Sequence, residues 1–268
     1  MPYSIDRFGD VYATAEELPR YEGKQPQGAG PVRSAVIRLV GGGYYDALGD
    51  EDALPPVEEI TVEGEWVAAS DAAMQTKLAA LRALRGTKSK VWRTTSAGTS
   101  HWREARCLEV DSDLTPGSPR LAKIALSFEL EPTPWYGTIC YTSITLGTSP
   151  VASTITNPGN AVARDITVTV HPQSSAITAF HLENLRTGHV SKIKYAGTVA
   201  AKHALEINCG EKSVENNGSD DYANLSLESG HTITEWLRLA PGANSIRITC
   251  TGGGATSTIG VSFYEAHA

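Results

Sequence analysis

The sequence lacks the short motifs that identify most catalytic and nucleotide-binding sites. It contains no Gly-x-Ser-x-Gly, His-Glu-x-x-His, Gly-x-x-x-x-Gly-Lys-Ser/Thr or Gly-x-Gly-x-x-Gly pattern, each of which positions a nucleophile, a pair of zinc ligands or a phosphate group. The nearest approach, Arg85 to Ser89, lacks the first glycine and follows a predicted helix instead of opening one. We therefore predict no catalytic residue, no cofactor and no enzymatic activity.

Cysteine is also scarce. Cys107, Cys140, Cys209 and Cys250 are far apart and show no Cys-x-x-Cys spacing. This spacing favours free thiols over a zinc site or a disulfide framework, although Cys209 and Cys250 could pair if their strands are adjacent. The seven histidines are equally scattered, so we predict no metal site.

Positive charge is sparse. The chain has 23 Lys and Arg against 30 Asp and Glu, a net charge of -7, whereas phosphate binding needs clustered basic residues. No apolar run reaches membrane-spanning length, and the first residues have neither the apolar core nor the cleavage site of a signal peptide. We expect synthesis in the cytoplasm, no membrane segment and no specific affinity for nucleic acid.

Residues 46–65 contain eight carboxylates and no Lys or Arg, and Pro55 and Pro56 interrupt them. This composition fits an acidic loop or a long hairpin. The charges indicate either an ordinary solvated surface or a surface that repels polyanions, and their sign alone does not decide between the two. A glycosidase would need one carboxyl group with a raised pKa, and a polar loop offers no apolar burial to raise it.

The first half has the pattern of an α+β unit. Ser70 is a good helix N-cap, Met74, Leu78 and Leu81 form an i, i+4, i+7 stripe, and Gly86 is placed as a C-cap. We predict an amphipathic helix of about four turns that packs on a sheet or partly closed barrel. The predicted strands are 32–40, 61–66, 90–95, 101–110 and 121–130. Residues 1–30, rich in turn formers and charge, predict a flexible arm or a strap.

The sequence pattern changes at residues 127–137. An alternating strand pattern stops at two prolines, which cannot continue a ladder, and a Trp-Tyr pair follows. We interpret this stretch as the seam between a domain at 1–138 and a domain at 139–268. The candidate seam residues are Pro132, Pro134, Trp135 and Tyr136. The aromatic pair is predicted to wedge the two domains at a fixed angle, so that Trp135→Ala would loosen their orientation and leave both folds intact.

The second half reads as all-β. Short Thr/Val/Ile runs alternate with Gly, Asn and Pro turns, which favours an antiparallel sandwich of jelly-roll type. The predicted strands are 166–170, 177–185, 190–195, 204–207, 225–227, 232–239, 245–249 and 259–264.

Several features follow one another in a distinctive order. The first half has a charged arm, a strand ending near Trp66, the helix, the strand Val91-Trp92-Arg93 and the junction Pro134-Trp135-Tyr136-Gly137. The second half has four further stretches: Asn157-Pro158-Gly159-Asn160 before Ile166-Thr167-Val168, Leu205-Glu206-Ile207-Asn208 with Asn217-Gly218 downstream, Trp236 to Asn244, and Val261-Ser262-Phe263-Tyr264. In this order the chain resembles the distal tail proteins of long-tailed, siphovirus-like bacteriophages.

That resemblance implies a structural virion protein. Members of the family form a hexameric ring at the distal end of the tail, which joins the tail tube to the host-recognition tip and leaves a channel for DNA. Residues 1–138 would be the ring-forming, tube-like domain, with the arm at 1–30 strapping one subunit to the next. Residues 139–268 would be an outward-facing sandwich, galectin-like or of jelly-roll type.

The resemblance also implies partners. These are other copies of the chain, the tail tube protein, the hub or fibre proteins of the tip and the tape measure protein, with DNA passing through without specific binding. An acidic channel would let DNA slide without sticking. The candidate channel-facing carboxylates are Asp46, Asp50, Glu51, Asp52, Glu58 and Glu59.

Two alternatives stay open. The chain could be a tail-tube subunit. It could also be a carbohydrate-binding protein of the tail tip, whose sandwich would need an aromatic platform. The candidate platform residues are Tyr195, Tyr222, Trp236 and Tyr264, although Trp236 and Tyr264 lie in alternating strands that favour a place in the core.

Overall fold

The computed structural model describes residues 3–12, 36–38, 44–46, 58–95, 97–114, 116–131, 133–147, 149–188, 191–227 and 236–268. The chain divides into two compact units, Met1–Trp135 and Tyr136–Ala268. The described residues are mainly β, with a single α-helix and antiparallel strand pairing throughout, which confirms the predicted fold class. None of the helices in these ranges is long and apolar enough to cross a membrane.

The first unit is a sheet covered by one helix. Its strands are Tyr3–Phe8 (β1), Val11–Tyr12 (β2), Val36–Arg38 (β3), Tyr44–Asp46 (β4), Glu58–Val67 (β5), Lys88–Thr95 (β6), Ser100–Leu114 (β7) and Leu121–Leu130 (β8), and its helix is Asp71–Arg82 (α1). Six strands pair in the order β5-β8-β7-β6-β1-β2, and β3 pairs separately with β4.

Helix α1 starts where the sequence predicts. The Ser70 hydroxyl accepts a hydrogen bond from the backbone N–H of Ala73 at 3.2 Å, and Met74, Leu78 and Leu81 are buried against the sheet. The helix ends earlier than predicted, with Ala83 as its C-cap. Gly86 instead adopts a left-handed conformation, with φ of 81°, in the turn that leads to β6.

Strand alternation builds the core of the first unit. On β5, Ile60, Val62 and Trp66 point inward, and on β8 so do Ala122, Ile124, Leu126, Phe128 and Leu130. The prediction that residues 1–30 form a flexible arm or a strap is wrong for the first residues, because Tyr3–Phe8 form β1. Ile5 and Phe8 are buried in the same core, and Phe8 packs against Phe128 with ring centroids 4.8 Å apart. Residues 13–35 lie outside the described ranges.

The second unit is a two-sheet sandwich. Its strands are Trp135–Thr145 (β9), Val151–Asn157 (β10), Ile166–His171 (β11), Ile177–Asn184 (β12), Ser191–Tyr195 (β13), Leu205–Asn208 (β14), Ser213–Asn216 (β15), Ser219–Asp220 (β16), Leu225–Leu227 (β17), Gly242–Gly252 (β18) and Thr258–His267 (β19). Strand β9 begins at Trp135, the last residue of the first unit. One sheet has the order β16-β15-β14-β11-β19-β9 and the other β10-β18-β12-β13-β17. Buried residues of both sheets, such as Val168 and Val261 on one and Phe180 and Ile248 on the other, form one apolar core.

Three buried asparagines hold the segment 237–242 in the second unit. The Asn157 amide donates to the carbonyl oxygen of Leu239 at 3.0 Å, and that of Asn184 donates to Arg238 at 2.8 Å. The Asn244 amide oxygen accepts from the backbone N–H of Ala240 at 3.0 Å. All three asparagines are fully buried. Side-chain amides therefore supply the partners that a neighbouring strand would otherwise give this backbone.

The four cysteines are free thiols. Cys107 is buried in the first unit and Cys209 in the second. Burial raises the pKa of Cys107 to about 11 and that of Cys209 to about 12. Both groups therefore stay protonated at neutral pH and act as small apolar side chains.

We expect Asn244→Ala to lower the free energy of unfolding by about 3 kcal/mol, because it leaves the buried Ala240 N–H without its acceptor and removes the bonds that the amide donates to the Ile155 and Ala240 carbonyls. Asn224→Ala is the matched control. Asn224 is exposed and its amide donates to the Asp221 carboxylate at 2.6 Å in an exposed hydrogen bond, so its loss should cost no more than about 1 kcal/mol. Urea unfolding of both variants, followed by circular dichroism, checks this. Equal destabilisation by the two changes would show that the buried network has no special weight.

Candidate functional site

The exposed side of β5, β8 and β7 carries a cluster of carboxylates. On β5, Glu59, Glu63 and Glu65 alternate with the buried residues and face solvent. On β7, a bulge between Cys107 and Glu109 shifts the register, and beyond it every second residue is again exposed and acidic. The acidic face is defined by Glu59, Glu63, Glu65, Glu109, Asp111 and Asp113, with Lys123 of β8 among them. In the row of Glu59, the exposed Glu129 and Arg106 lie opposite each other, and their charges offset each other.

Strand register brings these groups together. Glu63 lies opposite Ala125, which lies opposite Asp111 on the far side. Glu65 and Asp113 flank Lys123 in the same way. Next-but-one strands are about 10 Å apart, which is close to the Debye length of about 8 Å at physiological salt. The carboxylates of β5 and β7 therefore contribute to one negative field.

The centre of the acidic face is a shallow open depression of about 480 Å³. Carboxylates from both outer strands line it, and the small side chain of Ala125 forms part of its floor. The ammonium group of Lys123 lies 4.0 Å from the Glu65 carboxylate, with both side chains more than half exposed. An ion pair of this kind contributes little energy, so Lys123 offsets only one of the six charges.

The acidic face can repel polyanions, but it has no features of a metal or catalytic site. Within the described part of the chain, no group of three or more His, Cys, Asp or Glu is arranged to hold a metal ion. Its carboxylates are exposed to water rather than held in an apolar pocket, which is the environment that prepares a carboxyl group for acid catalysis.

The six carboxylates that are predicted to face the channel do not all belong to the acidic face. Glu59 belongs to the acidic face. Glu58 does not, because its carboxylate pairs with the buried guanidinium of Arg103 at 2.8 Å. Asp46 ends β4, and Asp50, Glu51 and Asp52 lie outside the described residues. Glu58 and Glu59 are on a strand and not in a loop.

Sequence reasoning missed the β7 half of the acidic face. The predicted strand stopped at residue 110, whereas β7 continues to Leu114. The signal was present as Glu109-x-Asp111-x-Asp113, a period-two pattern of carboxylates. The pattern predicts one acidic strand edge, but it does not predict that β8 pairs with both β5 and β7 and so brings their carboxylates onto one face.

The two aromatic seam residues belong to different units, Trp135 to the first and Tyr136 to the second. Trp135 is 4% exposed within the first unit's core, with the Arg93 guanidinium 4.1 Å from its ring centroid. Tyr136, in the second unit, donates its hydroxyl hydrogen to the Asp165 carboxylate. Pro132 lies outside the described residues, and Pro134 is half-buried. The wedge between domains stays a prediction.

The four candidate sugar-binding aromatics do not form one platform. Tyr195 is fully buried, and its hydroxyl bonds to Asp221. Tyr264 is half-buried beside Tyr136. Tyr222 is 48% exposed, but its ring is inclined at 41° to that of the half-buried Trp236.

Most of the second unit matches a known protein family. Residues 159–267 match the family model described as siphovirus-type tail component, C-terminal domain. We refer to these residues, after the family that they match, as the tail component domain. No curated protein matches the sequence significantly.

Solved structures extend the likeness beyond the tail component domain. The crystal structure of the Dit (gp 19.1) protein of phage SPP1, described as a paradigm of the hub adsorption apparatus in phages that infect Gram-positive bacteria, matches with a TM-score of 0.65 at 15% identity, over 98% of both chains. A baseplate structure of phage P2 in its activated conformation with Ca covers 98% of both chains at 8% identity, with a TM-score of 0.49. The fold is thus shared with the SPP1 Dit protein over 98% of the chain. Together with the tail component domain, it confirms the resemblance to distal tail proteins.

We expect Trp135→Ala to destabilise the first unit by about 3 kcal/mol, because it leaves a cavity in the core and removes the ring beside Arg93. Because Trp135 is buried in the core of the first unit, its replacement should destabilise that unit in addition to loosening the domain orientation. Trp135→Phe, which keeps an aromatic ring, should cost less. Amide hydrogen exchange checks this, since protection should fall on β6 and β7 but not on β11 and β14. Unchanged exchange in the first unit would contradict the assigned role.

Proposed function

We propose that this chain is a structural protein of a phage tail that assembles as a hexameric ring, joins the tail tube to the host-recognition tip and leaves a channel for DNA. The observation that carries the proposal is the tail component domain at residues 159–267. The fold shared with the SPP1 Dit protein over 98% of both chains supports it. The proposed location is the virion tail, and the proposed partners are the tube protein, the hub or fibre proteins of the tip and the tape measure protein.

In this proposal the first unit forms the ring and its acidic face lines the channel. Six carboxylates around one ammonium group give a surface that repels the phosphates of duplex DNA, so DNA passes without adhering. The acidic face thereby takes the role that the sequence suggested for residues 46–59. The second unit points outward, toward the tip.

We expect the purified full-length chain to form closed six-fold rings with a central hole, visible in class averages of negatively stained particles. Cyclic closure follows if one surface of each subunit binds a different surface of the next. Open stacked tubes would favour a tail-tube subunit instead. Monodisperse monomers across a wide concentration range would count against the ring.

Reversing two charges at the centre of the acidic face tests the channel assignment. The variant Glu63→Lys/Asp111→Lys should still form rings, because both side chains are exposed, but it should retain duplex DNA in a salt-sensitive way. In particles, DNA ejection should slow. The reason is that the face would then hold four carboxylates and three ammonium groups, with both new ammonium groups at its centre.

Two controls separate position from net charge. Glu63→Gln/Asp111→Asn removes charge without adding any, and its effect should be much smaller. Glu211→Lys/Asp220→Lys makes the same change in net charge at two exposed positions of the second unit, and ejection should stay normal. Normal ejection in the Glu63→Lys/Asp111→Lys particle would refute the assignment of the acidic face to the channel, whether or not rings form.

A further inference from the structure

The outer face of the second unit's β14-β11-β19-β9 sheet carries a strongly exposed aromatic ring. Tyr141 on β9 is 69% exposed. A side chain added at Gly260 on β19 would place its Cβ 2.9 Å from the Tyr141 hydroxyl oxygen and 3.0 Å from a ring carbon. The ring therefore lies across the neighbouring strand, over the one residue type that leaves room for it, and the other side of the ring faces solvent.

Polar side chains continue this face away from the ring. Gly260 lies opposite Thr169 on β11, which lies opposite Glu206 on β14, and Glu206 in turn lies opposite Glu215 on β15. The next row along the sheet repeats the polar character with hydroxyl and amide groups. Its members are Ser262, Thr167, Asn208 and Ser213. From β9 to β14 the face measures about 14 Å across, or three strand spacings.

We propose that this face, from Tyr141 to Glu206, is a binding site for a neutral oligosaccharide. An aromatic ring face is electron-rich and attracts the weakly positive C–H groups on the flat side of a pyranose ring. Hydroxyl, amide and carboxylate side chains beside it can accept and donate hydrogen bonds to sugar hydroxyls. One exposed ring next to a strip of such groups gives a sugar both of the contacts that it needs.

Charge decides against a polyanionic ligand. Neither of the two rows contains Lys or Arg, while Glu206 and Glu215 are exposed, so a teichoic acid or nucleic acid would be repelled. The apolar part of the face is also small. Ile139, 59% exposed two residues before Tyr141, is its main extension, and protein interfaces usually need a larger apolar centre. The proposed site does not depend on ring formation or on the acidic face of the first unit.

The experiment measures binding of the full-length chain to an array of neutral hexose and N-acetylhexosamine oligosaccharides, followed by calorimetric titration of the best binder. Tyr141→Ala should weaken binding at least tenfold. Tyr141→Phe should bind like the unaltered protein, because the ring is kept. Gly260→Val should also lose binding, since its side chain displaces the ring from the sheet. Circular dichroism and thermal melting confirm that each variant is folded.

Tyr222→Ala is the matched control, because it removes an equally large exposed aromatic from the same unit, and its binding should be unchanged. Loss of binding in Tyr222→Ala with retention in Tyr141→Ala would overturn the proposal, as would an array on which no neutral glycan binds. Polyglycerol phosphate serves as the polyanionic arm. Binding to that polymer alone, or only to a protein of the tail tip, would likewise overturn it. Because Tyr141→Ala leaves the first unit untouched, ring formation reports separately on the proposed function.

Discussion

Alternation along antiparallel strands is the constraint on which the rest of this structure depends. In the first unit, every second side chain of β5 and β8 is buried in the core that includes α1, so the residues between them must face solvent. Glu63 and Asp111 consequently share a surface on either side of Ala125, although they are distant in sequence. A register slip of one residue would bury carboxylates and expose the core. The acidic face and the apolar core therefore specify the same strand pairing.

The second unit has a different requirement, because the segment 237–241 packs on the sandwich with only the Ala163–Leu239 bridge as ladder pairing. Buried backbone groups need partners, and an asparagine side chain offers both a donor and an acceptor. Asn244 uses both, since it accepts from the N–H of Ala240 and donates to its carbonyl oxygen at 2.9 Å. Pro241 has no N–H to satisfy, and Gly242 takes the left-handed backbone, with φ of 83°, that begins β18. The sequence Ala-Pro-Gly-Ala-Asn is thus a local solution to a hydrogen-bonding requirement.

Local pattern predicted the elements whose alternation is strong and failed where tertiary contacts decide. The strand at Leu121–Leu130 has its predicted bounds, and α1 begins at its predicted cap. β1 was missed because Ile5 and Phe8 stand among turn formers, and only pairing with β6 makes them core residues. The Tyr141 face was missed for a related reason. A tyrosine among Thr, Cys and Ser gives no sign of exposure, and the role of Gly260 beneath it depends on a strand distant in sequence.

The two exposed sheet faces show how one architectural rule yields surfaces with different chemistry. Both follow from outward positions on antiparallel strands, and both carry more acidic than basic groups, so each disfavours polyanions. They differ in what lies among the carboxylates. The acidic face has the small Ala125 and one lysine, which gives a ligand nothing to stack on. The second unit's face has a ring laid over a glycine beside hydroxyl groups, and this supplies directional contacts without positive charge. Under the proposed assignments, a surface of the first kind lets a polymer slide past, whereas a surface of the second kind retains a neutral one. The distinction therefore comes from a few outward residues and not from the fold.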